Sequence, residues 1–155
     1  MYNIEHISWN QIVRIWQTQL WPHRTSPIET HSAMTWPFDN SQEAYDMSVF
    51  NSPAFFLGVF CDKDLVGVNS CHLSSPSHFR SRGLWVDPNH RSKGLAQMLF
   101  AETQQLAKTN NADMIWSMPR KTALKSYQHF GFNTVGEFFG TETADANIYV
   151  IKLIP

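Results

Sequence analysis

Apolar residues recur along the chain with two different spacings, and the switches between them mark out its elements. Residues 2–7 alternate as a short strand. Ser8 stands where a helix N-cap belongs, and Trp9, Ile12, Val13, Trp16 and Leu20 follow at helical spacing until Pro22 ends the run. Residues 21–52 are irregular, broken by Pro22, Pro27 and Pro37, with short helices expected over 27–34 and 41–49. Strands are expected over 54–61 and 65–73, joined by the turn Asp62-Lys63-Asp64, and a third over 79–86. A helix over 93–108, a strand over 112–117 and a helix over 121–130 come next. Ala123, Leu124, Tyr127 and Phe130 share one side of that last helix, and Gly131 closes it. Strands over 132–139 and 146–154 complete the pattern. The order predicts a mixed sheet carrying helices on its faces.

Composition narrows the function classes. A chain of 155 residues suits one domain, taken as residues 1–155. With 43% apolar and 16% charged residues it is expected to fold without a metal or disulfide staple. Twelve basic residues against 13 acidic ones leave a net charge of −1, which supplies no electrostatic footprint for nucleic acid or a membrane surface. The apolar runs are too short to span a bilayer. Met1-Tyr2-Asn3-Ile4-Glu5-His6 has neither the basic nor the apolar region of a secretory signal, so a cytoplasmic protein is expected. If the Asp62-Lys63-Asp64 turn sets the hairpin register, Cys61 lies near Leu65 and Cys71 near Phe55. The two sulfurs then sit about 20 Å apart, too far for a disulfide. No His or Cys pair has zinc-ligand spacing, so no metal is expected.

The most informative stretch is Leu84-Trp85-Val86-Asp87-Pro88-Asn89-His90-Arg91-Ser92-Lys93-Gly94-Leu95-Ala96. A strand ends, a loop follows, and a helix opens with small residues at Gly94 and Ala96. First-turn N–H groups lack helical partners and the helix dipole favours an anion there. Arg91 and Lys93 add positive charge. Neither the dinucleotide fingerprint G-x-G-x-x-G nor the P-loop pattern is present. By itself this pattern is equally that of an ordinarily capped helix.

Two runs carry a resemblance. Val86-x-Pro88-x-x-Arg91-x-x-Gly94-x-Ala96 resembles the acetyl-CoA signature of the GNAT N-acetyltransferase superfamily, whose core is R/Q-x-x-G-x-G/A. Downstream, Ala123-Leu124-Lys125-Ser126-Tyr127-Gln128-His129-Phe130-Gly131-Phe132 is similar to the family's A-x-x-x-Y-x-x-x-G-F segment. The match covers about residues 54–154, while residues 1–53 agree only in coarse pattern. The resemblance implies a mostly antiparallel sheet of about seven strands with helices on both faces.

It also implies an enzyme and a role for each matched position. Backbone N–H groups of Arg91, Ser92, Lys93, Gly94, Leu95, Ala96 and Gln97 would hold the pyrophosphate of acetyl-CoA. Leu84 and Val86 would bond the pantetheine arm, with the Val86 N–H near the thioester oxygen. The Tyr127 hydroxyl would protonate the leaving thiolate. A primary amine on a small molecule or polypeptide would attack directly. From the spacing alone, Tyr127 reads first as a core aromatic of its helix, with its hydroxyl bonded nearby.

Two positions depart from the family. Arg120 stands where many members have Asn. Arg80 and Arg82 stand where several members place an acidic or histidine base, and a guanidinium stays protonated at neutral pH. Three readings stay open. His72 or His78 serves as base; water carries the proton away; or the arginines bind an anionic group on the acceptor. Structural ion pairing of both arginines is the bland counterpart. Glu102 falls within the apolar stripe of the 93–108 helix and either finds a partner or reaches its wet edge. The aromatic segment around His23, Trp36 and Phe38 is where the family commonly walls its acceptor site, so these side chains are candidate acceptor contacts. A non-catalytic acyl-CoA-binding module of the same fold is the rival expectation, and transfer of a longer acyl group a third. Monomer and homodimer are both compatible with the sequence.

Overall fold

A computed structural model describes residues 1–38, 47–140 and 146–155. Seven strands form one sheet: β1 (Tyr2–His6), β2 (Phe55–Cys61), β3 (Asp64–Ser75), β4 (His78–Val86), β5 (Met114–Ser117), β6 (Asn133–Phe139) and β7 (Asn147–Leu153), in the spatial order β1-β2-β3-β4-β5-β7-β6. Every neighbouring pair is antiparallel except β4–β5. That pair is parallel because the helix α2 (Leu95–Thr109) carries the chain back across the sheet between them. Helices α1 (Trp9–Ile15) and α3 (Leu124–Phe130) complete the fold. None of the described helices is long and apolar enough to cross a membrane.

Local sequence explains the helix ends. Ser8 accepts from the Gln11 N–H at 3.1 Å while the Gln11 side chain accepts from the Ser8 N–H at 2.8 Å, a reciprocal capping box. After Ile15 the helix widens into a π turn, Trp16–Leu20. α2 starts two residues later than the pattern suggests, because Gly94 takes the left-handed conformation at φ +83°. α3 is preceded by a 3-10 turn, Lys121–Ala123, and ends at Gly131, φ +111°.

Side chains alternate across the sheet and feed two apolar clusters. Leu57 on β2 and Leu84 and Val86 on β4 pack with Leu95, Leu99 and Phe100 of α2. Their strand neighbours Phe56 and Trp85 pack instead with Ile12 and Trp16 of the α1 segment. Both faces of the sheet are therefore covered, as the sequence pattern implies. Glu102 reaches the wet edge of its helix, 4.0 Å from His6 Nε2.

The structure corrects two expectations and leaves a third partly outside the described residues. Residues 27–34 form no helix, since their backbone groups serve side chains outside the segment: Pro27 O accepts from nearby Arg24, Glu29 O from distant Arg82, and the Ser32 N–H is given to His72. Of the helix expected over 41–49, residues 41–46 lie outside the described residues, and Met47–Asn51 is a 3-10 turn. Cys71 pairs with Phe55 as expected, but a bulge after Val59 slides Cys61 opposite Asp64, leaving Leu65 beside Phe60. Both thiols are free.

A second irregularity shapes the centre of the sheet. Val68 faces Trp85 and Ser70 faces Arg82, so Asn69 alone stands opposite Gly83 and Leu84. Gly83 lies at φ +76°, and a Cβ there would collide with the Trp16 indole, whose Nε1 donates to Gly83 O at 2.9 Å. Only glycine satisfies both the backbone and the contact. Gly94 shares a positive φ but a Cβ there meets nothing within 4 Å. Gly83→Ala is therefore expected to cost roughly 2–5 kcal/mol, a left-handed residue plus overpacking. Gly94→Ala should cost only about 1–2 kcal/mol. Urea denaturation of the two variants checks this, and equal losses would contradict it.

Candidate functional site

The parallel pair β4–β5 is joined only from His78↔Met114 to Arg80↔Trp116, yet β4 runs on to Val86. Beyond Arg80 the strands part. Asp87 N–H bonds Val66 O on β3 at 2.8 Å, so by alternation the N–H of Val86 points the other way, into the gap where β5 is missing. The gap opens into a cleft of about 880 Å³. Leu84 and Val86 line one wall, Ser117 to Arg120 the other, Leu20 and Trp21 one end, and the start of α2 with Ser126 and Tyr127 the remainder.

Where α2 begins, the loop is shaped to expose donors. The Asp87 carboxylate accepts from Asn89 N–H and starts a 3-10 turn, Pro88–His90. Ser92 and Gly94 then both take positive φ, +61° and +83°, before the helix starts. First-turn N–H groups lack intrahelical partners, and open space lies beside the Gly94 Cα. Arg80, Arg82, Arg91, Arg120 and Lys125 line the cleft, and no Asp or Glu does so among the described residues. A nearly neutral protein thus presents a positive cleft built to receive an extended anion.

Tyr127 is buried where α3 meets the cleft, its ring against Phe100 and Phe132 at 4.5 and 5.1 Å. Its hydroxyl lies 3.4 Å from Ser81 Oγ and 3.3 Å from Ser117 Oγ. Burial raises its pKa above the ordinary phenol value, while the two serines and Arg80 oppose that rise. At neutral pH it is a phenol, able to give a proton.

The two arginines differ. Arg82 is neutralised internally: it donates to Glu29 O at 2.7 Å and Glu29 Oε1 at 3.1 Å, and its guanidinium sits over Trp16 and Trp21 at 5.1 and 5.7 Å. Arg80 lies over Trp116 at 4.7 Å and donates to Ser32 Oγ at 3.2 Å, while its buried Nε has no hydrogen-bond partner. Burial lowers both pKa values to about 10, so both stay charged at neutral pH. Arg120 braces the cleft by donating to Leu20 O at 2.7 Å.

Of the residues singled out by sequence, Leu84, Val86, Arg91, Ser92, Gly94, Leu95, Ala96, Gln97, Tyr127, Arg80 and Arg82 line this one cleft. Lys93 is exposed and outside its lining. Trp36 also lies outside, packed on Trp116 and Tyr149 at 5.8 Å each. His72 and His78 are buried away from it. Trp21 belongs to the aromatic segment expected to wall the acceptor site, whereas the hydroxyls of Ser81 and Ser117 escaped the sequence reading. Asn69 and Ser70, two polar residues inside an apolar strand run, were the one signal of a buried polar cluster.

His72 is committed at both ring nitrogens. Nδ1 donates to Leu73 O at 2.9 Å, so Nε2 is the acceptor of the Ser32 N–H at 3.2 Å. Burial lowers its pKa from 6.5 to about 3. Because the folded value lies below the unfolded one, the unfolded chain binds more protons between those limits, and stability falls as pH drops through that window. The His72 imidazole is expected to keep neutral NMR shifts down to about pH 4, well below an ordinary histidine. A midpoint near 6.5 would contradict this arrangement.

Comparison with known proteins agrees with this geometry. The profile of the acetyltransferase (GNAT) family matches residues 11–132, a span holding both signature runs, the splayed strands and Tyr127. No curated protein sequence matches the chain. Among solved structures, the chain is similar to an aminoglycoside 6'-N-acetyltransferase complexed with coenzyme A, at 13% identity over 99% of this chain and 98% of that one, TM-score 0.68. It is similar to an acetyltransferase of the GNAT family from Staphylococcus aureus, at 13% identity over 99% of each chain, TM-score 0.65. A PaiA N-acetyltransferase from Thermoplasma acidophilum, in complex with coenzyme A, aligns at 18% identity over 69% of this chain and 65% of that one, TM-score 0.55. At such identities the structures speak for the fold, and the profile for the family. The family profile spans most of the chain and the solved structures share its fold; this chain belongs to the GNAT family of acetyltransferases.

Proposed function

We propose that the chain transfers an acetyl group from acetyl-CoA to a primary amine of a small molecule or polypeptide by direct attack, with Tyr127 as the general acid. The observation that carries this reading is the position of the buried Tyr127 phenol on a positive cleft whose far wall is the stretch of β4 without a strand partner on that side. The residues present fit such a donor. The N–H groups from Arg91 to Gln97 and the open side of Gly94 suit a pyrophosphate, and the unpaired edge at Leu84 and Val86 suits an extended amide arm. When bound, acetyl-CoA supplies the acyl group as a thioester.

The chain's own residues then have simple tasks. The Val86 N–H faces the gap and would bond the carbonyl oxygen as charge grows on it. The amine nitrogen forms its bond to the carbonyl carbon, the carbon–sulfur bond breaks, and its electron pair stays on sulfur. Tyr127 gives its proton to that sulfur, and the proton shed by the new amide passes to water, from which the phenolate is reprotonated. No carboxylate lines the cleft among the described residues and both ring nitrogens of His72 are bonded to backbone; we take water to carry the proton away. Arg80, with its buried and unpartnered Nε, supports an acceptor that carries an anionic group as well as its amine. The same lack of a carboxylate also favours a second reading, a domain that binds acyl-CoA without turning it over.

Release of free thiol from acetyl-CoA in the presence of amines, acidic ones first, separates the two readings. Tyr127→Phe is expected to lower kcat on the order of 10²–10⁴-fold with acetyl-CoA affinity little changed. Unchanged turnover would remove Tyr127 from the chemistry, and no turnover by the native protein with any amine would favour the binding module.

A further inference from the structure

The Tyr127 hydroxyl is the end of a buried chain of polar side chains drawn from four other elements. Asn69 on β3 and Ser81 on β4 are inaccessible to solvent, as is Thr103 on α2, and Ser117 on β5 is nearly so. Such groups are costly inside an apolar core unless each is bonded. Here the bonds also fix a direction. Thr103 Oγ1 donates to Leu99 O at 2.8 Å, so towards Asn69 it can only accept. The Asn69 amide nitrogen gives one proton to Thr103 Oγ1 at 3.1 Å and the other to Ser81 Oγ at 2.9 Å. Ser117 Oγ donates to Ser81 O at 2.7 Å, so towards Tyr127 it too can only accept.

One hydroxyl is left to donate to the tyrosine oxygen. Ser81 Oγ, already accepting from Asn69, has its own proton free for Tyr127 at 3.4 Å or for Asn69 Oδ1 at 3.3 Å. While Tyr127 is a phenol, Ser117 Oγ can accept its proton in a hydrogen bond. Once that proton has gone to the leaving group, a negative oxygen favours the Ser81 proton over the neutral amide oxygen. We propose that Ser81, oriented by Asn69 and through it by Thr103, is a positioning residue that aims the Tyr127 hydroxyl and stabilises the phenolate left after proton transfer. The inference rests on the general-acid reading of Tyr127.

Few other groups act on this oxygen. β4 contributes the Arg80 guanidinium, which also favours the phenolate. α2 and the residue before β6 present the aromatic rings of Phe100 and Phe132, and β5 presents the neutral Ser117. On its own helix, Lys125 and His129 line the same cleft. Removing the Ser81 donor therefore leaves the phenolate less supported, and the pH above which activity is lost must rise.

The test is a kcat–pH profile of native protein, Ser81→Ala, Ser81→Thr and Tyr127→Phe, each with acetyl-CoA and one accepted amine. Ser81→Ala is expected to lower kcat about 10–100-fold, the worth of one hydrogen bond to a charged group. Its KM for acetyl-CoA should barely change, and its alkaline limb should move upward. Ser81→Thr keeps the hydroxyl and should restore both. In a Tyr127→Phe background, Ser81→Ala should cost nothing further. If Ser81→Ala does not fold, Thr103→Val at the far end of the chain gives a smaller loss of the same kind. A folded Ser81→Ala with native kcat and native alkaline limb, beside an inactive Tyr127→Phe, overturns this inference alone. So does a loss that adds to that of Tyr127→Phe without moving the limb, which would mark Ser81 as merely structural. Native turnover by Tyr127→Phe overturns the general-acid reading and this inference with it.

Discussion

The structure turns on a strand that loses its partner. β4 is paired on both sides as far as Arg80 and on one side only beyond it. Inside a folded protein, backbone donors without partners are costly, so such an opening persists only where the chain enforces it. Here Gly83 accommodates the bulge in the β3–β4 pairing, and the Trp16 indole both occupies the space beside Gly83 and ties down its carbonyl. Arg82, clasped by Glu29 and flanked by Trp16 and Trp21, fixes the neighbouring loop to the same place. The first helix and its π turn thus anchor β4 just beyond the point where it leaves β5. The donors left over at Val86 and at the start of α2 are what a ligand can use.

Electrostatics follows from the same geometry. The chain is almost neutral as a whole, yet basic residues of β4, the α2 entry and the α3 entry converge on one opening that no Asp or Glu lines among the described residues. Burial lowers the arginine pKa values but leaves them charged, and it keeps the Tyr127 phenol protonated. A cationic cleft with one buried weak acid suits a polyanionic acyl donor whose leaving group must be neutralised.

Much of this was legible in the sequence wherever the information was local. The run from Val86 to Ala96 announces a strand end, an exposed turn and a helix start within a dozen positions. The spacing of Ala123, Tyr127 and Gly131 fixes one helix face and its end. Long-range pairing was not legible. Residues 27–34 carry helix-compatible residues, but tertiary partners on β3 and β4 take their backbone groups. His72 pairs with Arg80 in the sheet register and so looked available to the site, yet both of its ring nitrogens are spent on backbone. Asn69, Ser81 and Ser117 meet only because bulged antiparallel pairing and a short parallel register bring them together, and no local pattern records that.

Calorimetric titration of the native protein with acetyl-CoA, beside dephospho-CoA and ATP and beside Gly94→Glu, tests the central claim most directly. Saturable binding of acetyl-CoA is predicted, much weaker with ATP because the thioester arm is missing. It should be lost in a still-folded Gly94→Glu, whose left-handed residue costs only about 1–2 kcal/mol while its carboxylate fills the anion seat. Undiminished binding by Gly94→Glu, or ATP binding as tightly as acetyl-CoA, would contradict a cofactor seat at the parted strands and the start of α2.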